Sequence, residues 1–167
     1  MSSMRTKRSI YITNGCGRLA KIEMSGLNEY ALRLSQLGEE SEAIVKQAIY
    51  EGAKVMADQI YKNIDTIPNI HSYQKADLKN GLGIASMEDD GTGRWDTKIG
   101  FNGYGSVPTK KYPKGLPNIL LARSVESGTS FRSKTPFVRR AVTAKRKETL
   151  SVMEKKVNEE IRKIMEG

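Results

Sequence analysis

The apolar residues of this 167-residue chain recur with two different periods, and the changes of period mark out its elements. Near the start, "RSIYIT" and "LAKIEM" flank "NGCG", and Asn-Gly between short β-prone runs is a strong hairpin signal. Alternation places Ile10 and Ile12 on one face of the first strand, and Ile22 and Met24 on one face of the second. Residues 1–8 are polar and basic and read as a loose arm. The period then lengthens. Leu27, Tyr30, Ala31, Leu34 and Leu37 recur at helical spacing, with Gly38 placed to end that helix. A longer helix follows, with Val45, Ala48, Ile49, Gly52, Met56, Ile60 and Ile64 as its apolar stripe and Pro68 as its stop. Ala48, Gly52 and Ala53 lie within that stripe, where small residues let another backbone pack closely.

From Ile67 to Asn80 no period is visible, and the segment reads as a loop. "GLGIASM" and "RWDTKIGFNGY" read as two strands joined by the acidic turn "EDDGTG". "GFNGYGSVPTKKYPKGLPN" is rich in glycine and proline and is expected to project as a long surface loop. "NILLARSVESGT" is apolar enough for either a short helix or a strand. The last segment is the clearest. Thr135 can cap a helix and Pro136 suits its first turn, where a missing N–H costs nothing. Val138, Ala141, Val142, Leu150, Met153, Val157, Ile161 and Ile164 supply its stripe, and about thirty residues at ~1.5 Å each give a rod of roughly 45 Å. Such a helix either crosses the whole domain or offers its far end to a partner subunit. The expected fold is α+β: a small, mainly antiparallel sheet packed by two or three helices, with a long C-terminal helix. Residues 1–20 read as a basic arm and hairpin start, and residues 21–167 as a single domain.

Charge changes this picture more than composition does. The net charge is +9, and between Arg94 and Lys147 thirteen Lys or Arg stand against two acids, Asp96 and Glu126. About one third of the chain therefore carries the whole excess, which points to a polyanionic partner: nucleic acid or an acidic protein surface. The bland alternative is a solubilising face. Apolar residues make up 38% of the chain, and no window reaches the ~20 consecutive apolar residues of a membrane span. The start has no signal-like apolar run, so an intracellular product without a membrane segment is expected.

Candidate chemistry is sparse. Cys16 is the single cysteine and His71 the single histidine, which excludes an internal disulfide, a Cys-rich zinc site and most nucleophile–base pairs. Glu88, Asp89 and Asp90 lack the alternating ligands of a calcium loop. The glycines of the long loop lack the "GK[ST]" of a phosphate-binding loop. Glu126, beside a Gly-Thr turn, is the one acid worth weighing as a catalyst, against a structural role in which it pairs with Arg123 or Arg132 and fixes the turn. The reading is of a chain without catalytic residues, cofactor or metal.

The order of segments resembles a known family: the small neck or tail-component proteins of long-tailed bacteriophages and prophages, the gene-product-ten-like tail-completion class. The resemblance runs from about Lys21 to Met165, through "IEMSGLNEYALRLSQL", "ADQIYKNI", "KADLKNGLGIASM", "KIGFNGYG" and "LPNILLARSVESGTS" to "KTPFVRRAV". Its most telling pieces are "KIGFNGYG" and the junction of a glutamate, a Gly-Thr turn and a Pro-Phe helix start. The segment before Ala20 departs from the pattern. The resemblance implies a structural virion protein of the head–tail junction, assembled in the host bacterial cytoplasm. It also implies a homo-oligomeric ring that docks to head-completion and tail-terminator proteins. Such a ring gains from weak, sequence-independent attraction to the phosphates of double-stranded DNA. On that view Arg132, Lys134, Arg139, Arg140, Lys145, Arg146 and Lys147 are the contacts to DNA or to an acidic partner. Glu126, Gly128, Thr129, Pro136 and Phe137 are then the structural turn and helix start. The alternative is a small basic nucleic-acid-binding module of a mobile element.

Overall fold

Two long helices with continuous apolar stripes supply the frame of the molecule. The computed structural model describes residues 8–14, 17–24, 40–89 and 93–166. Strands β1 (Arg8–Asn14) and β2 (Gly17–Met24) come first, then helices α1 (Glu40–Asp65) and α2 (Ser72–Gly81). The short strands β3 (Leu82–Ile84), β4 (Glu88–Asp89), β5 (Trp95–Asp96) and β6 (Ile99–Phe101) lead to helices α3 (Asn118–Ser127) and α4 (Phe137–Glu166). The fold is α+β, with short antiparallel pairs and a long C-terminal helix.

On α1 the buried positions Ile44, Val45, Ala48, Ile49, Ala53, Met56, Ile60 and Ile64 follow the expected stripe. They pack against α4, whose Phe137, Val138, Ala141, Met153 and Val157 are buried in the same core. The helices run antiparallel. Asn63 near the end of α1 donates a hydrogen bond of 2.8 Å to the carbonyl of Phe137 at the start of α4, whereas Gly52 lies against Met153. A Cβ at Gly52 would stand 2.5 Å from Met153 Cγ, so this glycine is what lets the methionine fill the seam. The helix runs along the core, with its stripe packed against it as far as the half-buried Ile161. The side chain of Ile164 lies outside the described part.

The expected first hairpin is present, with Ile10 opposite Ile22 and an irregularity between Ile12 and Thr13. Its turn, with Cys16, lies outside the described residues, as do residues 1–7 of the arm and the helix expected over Leu27 to Leu37. Strand β1 runs beside β5 and β6, and β2 beside α4. The second hairpin is built from two short ladders. Leu82 pairs with Phe101 and Ile84 with Ile99, then Glu88 with Asp96 and Asp89 with Trp95. Between the ladders one strand has one residue more than the other, so the pairing slips. Thr97 fills the gap: it is buried, and its hydroxyl donates to the Ala85 carbonyl at 2.7 Å. Glu88 and Asp89 are strand residues, not part of the acidic turn the sequence suggested; Asp90 lies outside the described residues.

Three local expectations change or resolve. The segment from Ile67 to Asn80 is not all loop, because Ser72–Gly81 is helical. This helix buries only Leu78 and has no apolar stripe to announce it. Polar contacts hold it in place: Gln74 accepts from the His71 backbone at 3.1 Å, and Lys75 and Lys79 reach back to Asp65. "NILLARSVESGT" resolves as helix, because Asn118, Leu121, Ala122, Val125 and Glu126 are buried at helical spacing. The glycine-rich loop is pinned at its base. Gly105 donates to Leu116 at 2.8 Å and Asn118 to Gly103 at 3.0 Å. Gly115, at φ 91°, lets the two limbs approach so closely that a Cβ there would lie 1.9 Å from the Gly105 carbonyl oxygen.

Candidate interaction surface

The start of α4 is fixed from several directions at once. Phe137 and Val138 are buried, and the Phe137 ring meets Phe101 edge-on at 5.9 Å between centroids. Thr135 donates its N–H to the Val125 carbonyl at 2.7 Å, which ties the approach to α4 to the end of α3. Glu126 completes the junction. It is 2% exposed, and its carboxylate accepts the backbone N–H of Val138 at 2.9 Å and of Arg139 at 3.1 Å. These are among the first N–H groups of α4, which have no partner inside the helix. Glu126 thus does from α3 what an N-cap side chain usually does from within the helix, and it adds a negative charge at the positive end of the dipole.

The expected fastening role of Glu126 was tied to the wrong partners. Its ionic neighbour is neither Arg123 nor Arg132 but Arg139, whose Nε lies 3.8 Å away. Thr135 likewise contributes its backbone, while the capping oxygens come from Glu126.

Gly128 ends α3 at φ 76° and ψ 171°, a conformation essentially confined to glycine. A Cβ there would sit 2.9 Å from the Lys134 nitrogen. The chain then folds into a tight turn in which Thr129 and Arg132 exchange backbone hydrogen bonds of 2.9 and 3.2 Å. Pro136 follows, half-buried, immediately before Phe137.

The structure divides the seven candidate cations. Arg139 and Arg146 are seven residues apart on α4, as are Arg140 and Lys147, so two turns of helix bring all four to one side. All four are exposed. Among the described residues, no acid forms an ion pair with Arg140, Arg146 or Lys147. Lys145 does not belong with them. It shares a side with the buried Ala141 and Thr149, is half-buried, and pairs with Glu148 at 2.5 Å. Lys134 is exposed in the segment leading to the helix, and Arg132 is half-buried at the turn with its Nη1 shielded and without a hydrogen-bond partner among the described residues. The result is a four-cation face on the first turns of α4, flanked by a short basic turn.

One residue beside this face escaped the sequence reading. Phe131, at the tip of the turn, is 99% exposed, although the other two phenylalanines of the chain are buried. Its only signal was an aromatic inside a polar run, "TSFRSK". A groove of about 360 Å³ was also missed; it opens between α2 and the pinned loop and is lined by Tyr73, Val107, Tyr112, Leu116 and Leu121 with Asp77. Asp77 ties the loop to α2 by accepting from the Ser106 N–H at 2.9 Å and hydroxyl at 3.2 Å. Among the described residues, no group of three or more His, Cys, Asp or Glu is gathered as a metal site, and no helix is long and apolar enough to cross a membrane. No protein-family model, curated protein or solved structure matches this chain.

Proposed function

We propose that this chain is a structural protein of a bacteriophage head–tail junction, which works by ring assembly and docking to head-completion and tail-terminator proteins rather than by catalysis. The observation that carries the reading is the cation face of α4, where Arg139, Arg140, Arg146 and Lys147 stand exposed on one side of a helix whose opposite side is buried. Cations held on a rigid helix attract phosphates or acidic side chains without reading sequence, which suits a subunit set around a passing duplex. The family resemblance supports the same reading. Its junction motif spans Glu126, the Gly-Thr turn and the Pro-Phe start, the segment that orients this face.

The test is binding to a short double-stranded DNA across a range of salt. Arg140→Glu, Arg146→Glu and Lys147→Glu are combined, while Arg139 is left in place because its Nε lies 3.8 Å from the buried Glu126. The triple variant is expected to bind at least ten-fold more weakly near 0.1 M salt and to show a shallower salt dependence, by roughly 0.9 for each phosphate it no longer neutralises. Unchanged affinity and slope would count against this face. Tight DNA binding by a chain that stays monomeric would favour the alternative, a nucleic-acid-binding module.

A further inference from the structure

We propose that Phe131 is a stacking platform for one unpaired base of a nucleic acid whose phosphates lie on the cation face of α4. The chain then favours nucleic acid with open bases, at an end, a gap or a single-stranded stretch, while continuous duplex is held through its phosphates alone. The idea rests on the reading of that face as a nucleic-acid contact and adds to it a residue that meets a base.

Residues 128–134 form a short finger closed at its base. Val125 accepts the Thr135 N–H at 2.7 Å, a Cβ on Gly128 would stand 2.9 Å from the Lys134 nitrogen, and Thr129 and Arg132 exchange backbone hydrogen bonds. Phe131 is at the tip, 99% exposed, with its N–H held by the Thr129 hydroxyl at 3.3 Å. Nearly the whole ring is therefore open, both faces included, as a stacked base requires. The backbone beneath it is already fixed, so little further freedom is lost on binding. The finger and the first turn of α4 share one fastening, because Glu126, just before Gly128, accepts the Val138 and Arg139 N–H groups. Phe131 thus stands at the Arg139 end of the cation face. The exposed Lys134 follows it in the chain at a distance of at most about 11 Å.

Charge names the kind of partner. From Ser127 to Lys147 the chain has seven Lys or Arg and no Asp or Glu. Two such fingers meeting would bring like charges together, which argues against a second copy seated on the same patch. A polyanion fits instead. From Arg139 to Lys147 the helix advances about 12 Å, the length of roughly three or four phosphates of one strand at ~3.4 Å each. So few phosphates hold weakly, and one stack then matters: it tightens binding by roughly 5- to 150-fold per base. A protein partner would have to supply a pocket for the ring, whereas every base carries a flat π-face. Inside continuous duplex those faces are already stacked, and wedging a side chain between them costs about as much as one stack returns. The gain therefore falls to bases that are already open.

The test is equilibrium binding of the full chain, at one low salt concentration, to two labelled single strands of equal phosphate count: a thymidine oligonucleotide and the same sugar-phosphate strand without bases. The thymidine strand is expected to bind about ten-fold more tightly or better. Phe131→Ala, at a fully exposed position, should bind both strands alike. Phe131→Trp should keep the preference, and the emission it adds to that of the unaltered chain should be quenched by the thymidine strand and not by the base-free one. As a competitor, a duplex with a short central gap should displace the thymidine strand better than the same duplex without the gap. Equal binding of the unaltered chain to both strands, a preference that survives Phe131→Ala, or equal competition by the two duplexes would overturn the stacking and leave the phosphate contact standing. Failure to bind either strand would remove the nucleic-acid reading itself. Displacement by poly-glutamate as readily as by unlabelled thymidine strand would overturn the proposal and assign the patch to an acidic protein.

Discussion

Glu126 is the single buried carboxylate of the basic segment between Arg94 and Lys147, and its two short contacts to the α4 backbone give it a structural task. Each oxygen takes one N–H that the helix cannot satisfy internally. Removing the acceptor leaves those donors shielded and unpaired, at a cost of about 1–3 kcal/mol for a buried orphan group. Glu126→Ala is therefore expected to lower the free energy of unfolding by about 2 kcal/mol in urea titration. A loss within a few tenths of that of an ordinary surface substitution would contradict the capping role. The sequence already marked Glu126 as belonging to the turn, because it was an isolated acid beside Gly-Thr. It could not name Arg139 as the neighbour, since that contact depends on how α3 and α4 meet, and local spacing favours Arg123 or Arg132.

At the scale of elements, the antiparallel α1–α4 pair makes two predictions. Gly52 is crowded by Met153 Cγ and Sδ, at 2.5 and 2.6 Å from where a Cβ would sit. Overpacking costs roughly 1–3 kcal/mol, while alanine in place of glycine gains about 1 kcal/mol of helix propensity. Gly52→Ala alone should therefore destabilise by about 1 kcal/mol, whereas in a Met153→Ala background the same change should stabilise. Additive effects in a double-mutant cycle would refute the seam.

The second concerns the far part of α4, where Glu160 lies between Lys156 and Lys163, each at 2.8 Å. Hydrogen bonds from Lys156 and then Lys163 hold its carboxyl below the ordinary value of 4.5. A lowered folded-state value means that the contribution is complete above the ordinary carboxylate range and is lost as pH falls through the lowered value. The urea midpoint should fall less between pH 7 and pH 3 in Glu160→Gln than in the unaltered chain. An identical fall in both would show that the pair adds nothing. Elements with one strong apolar face, α1 and α4, were legible at this scale because their stripes need no context. Helix α2 was not, since it buries one leucine and is held by lysines reaching Asp65. Helix α3 stayed open between two readings until burial at helical spacing resolved it.

For the whole molecule, the concentration of charge between Arg94 and Lys147 was visible in the chain, but its distribution in space was not. Folding turns four of the seven candidate cations into one exposed side of α4, sets Lys145 against Glu148, and leaves Arg132 half-buried. The periodicity of the α4 stripe already implied an outward side. Phe131 was overlooked for the opposite reason: its importance lies in being wholly exposed, and exposure in a turn has no sequence period. The groove was equally hidden, because Tyr73, Val107 and Leu121 come from three separate segments. The most direct measurement of the account is light scattering of the purified full chain from micromolar to near-millimolar concentration, paired with negative-stain images of the same samples. Closed rings of one size, growing in population with concentration, are the expected result. A chain that stays monomeric throughout that range, with no ring in any image, would contradict it.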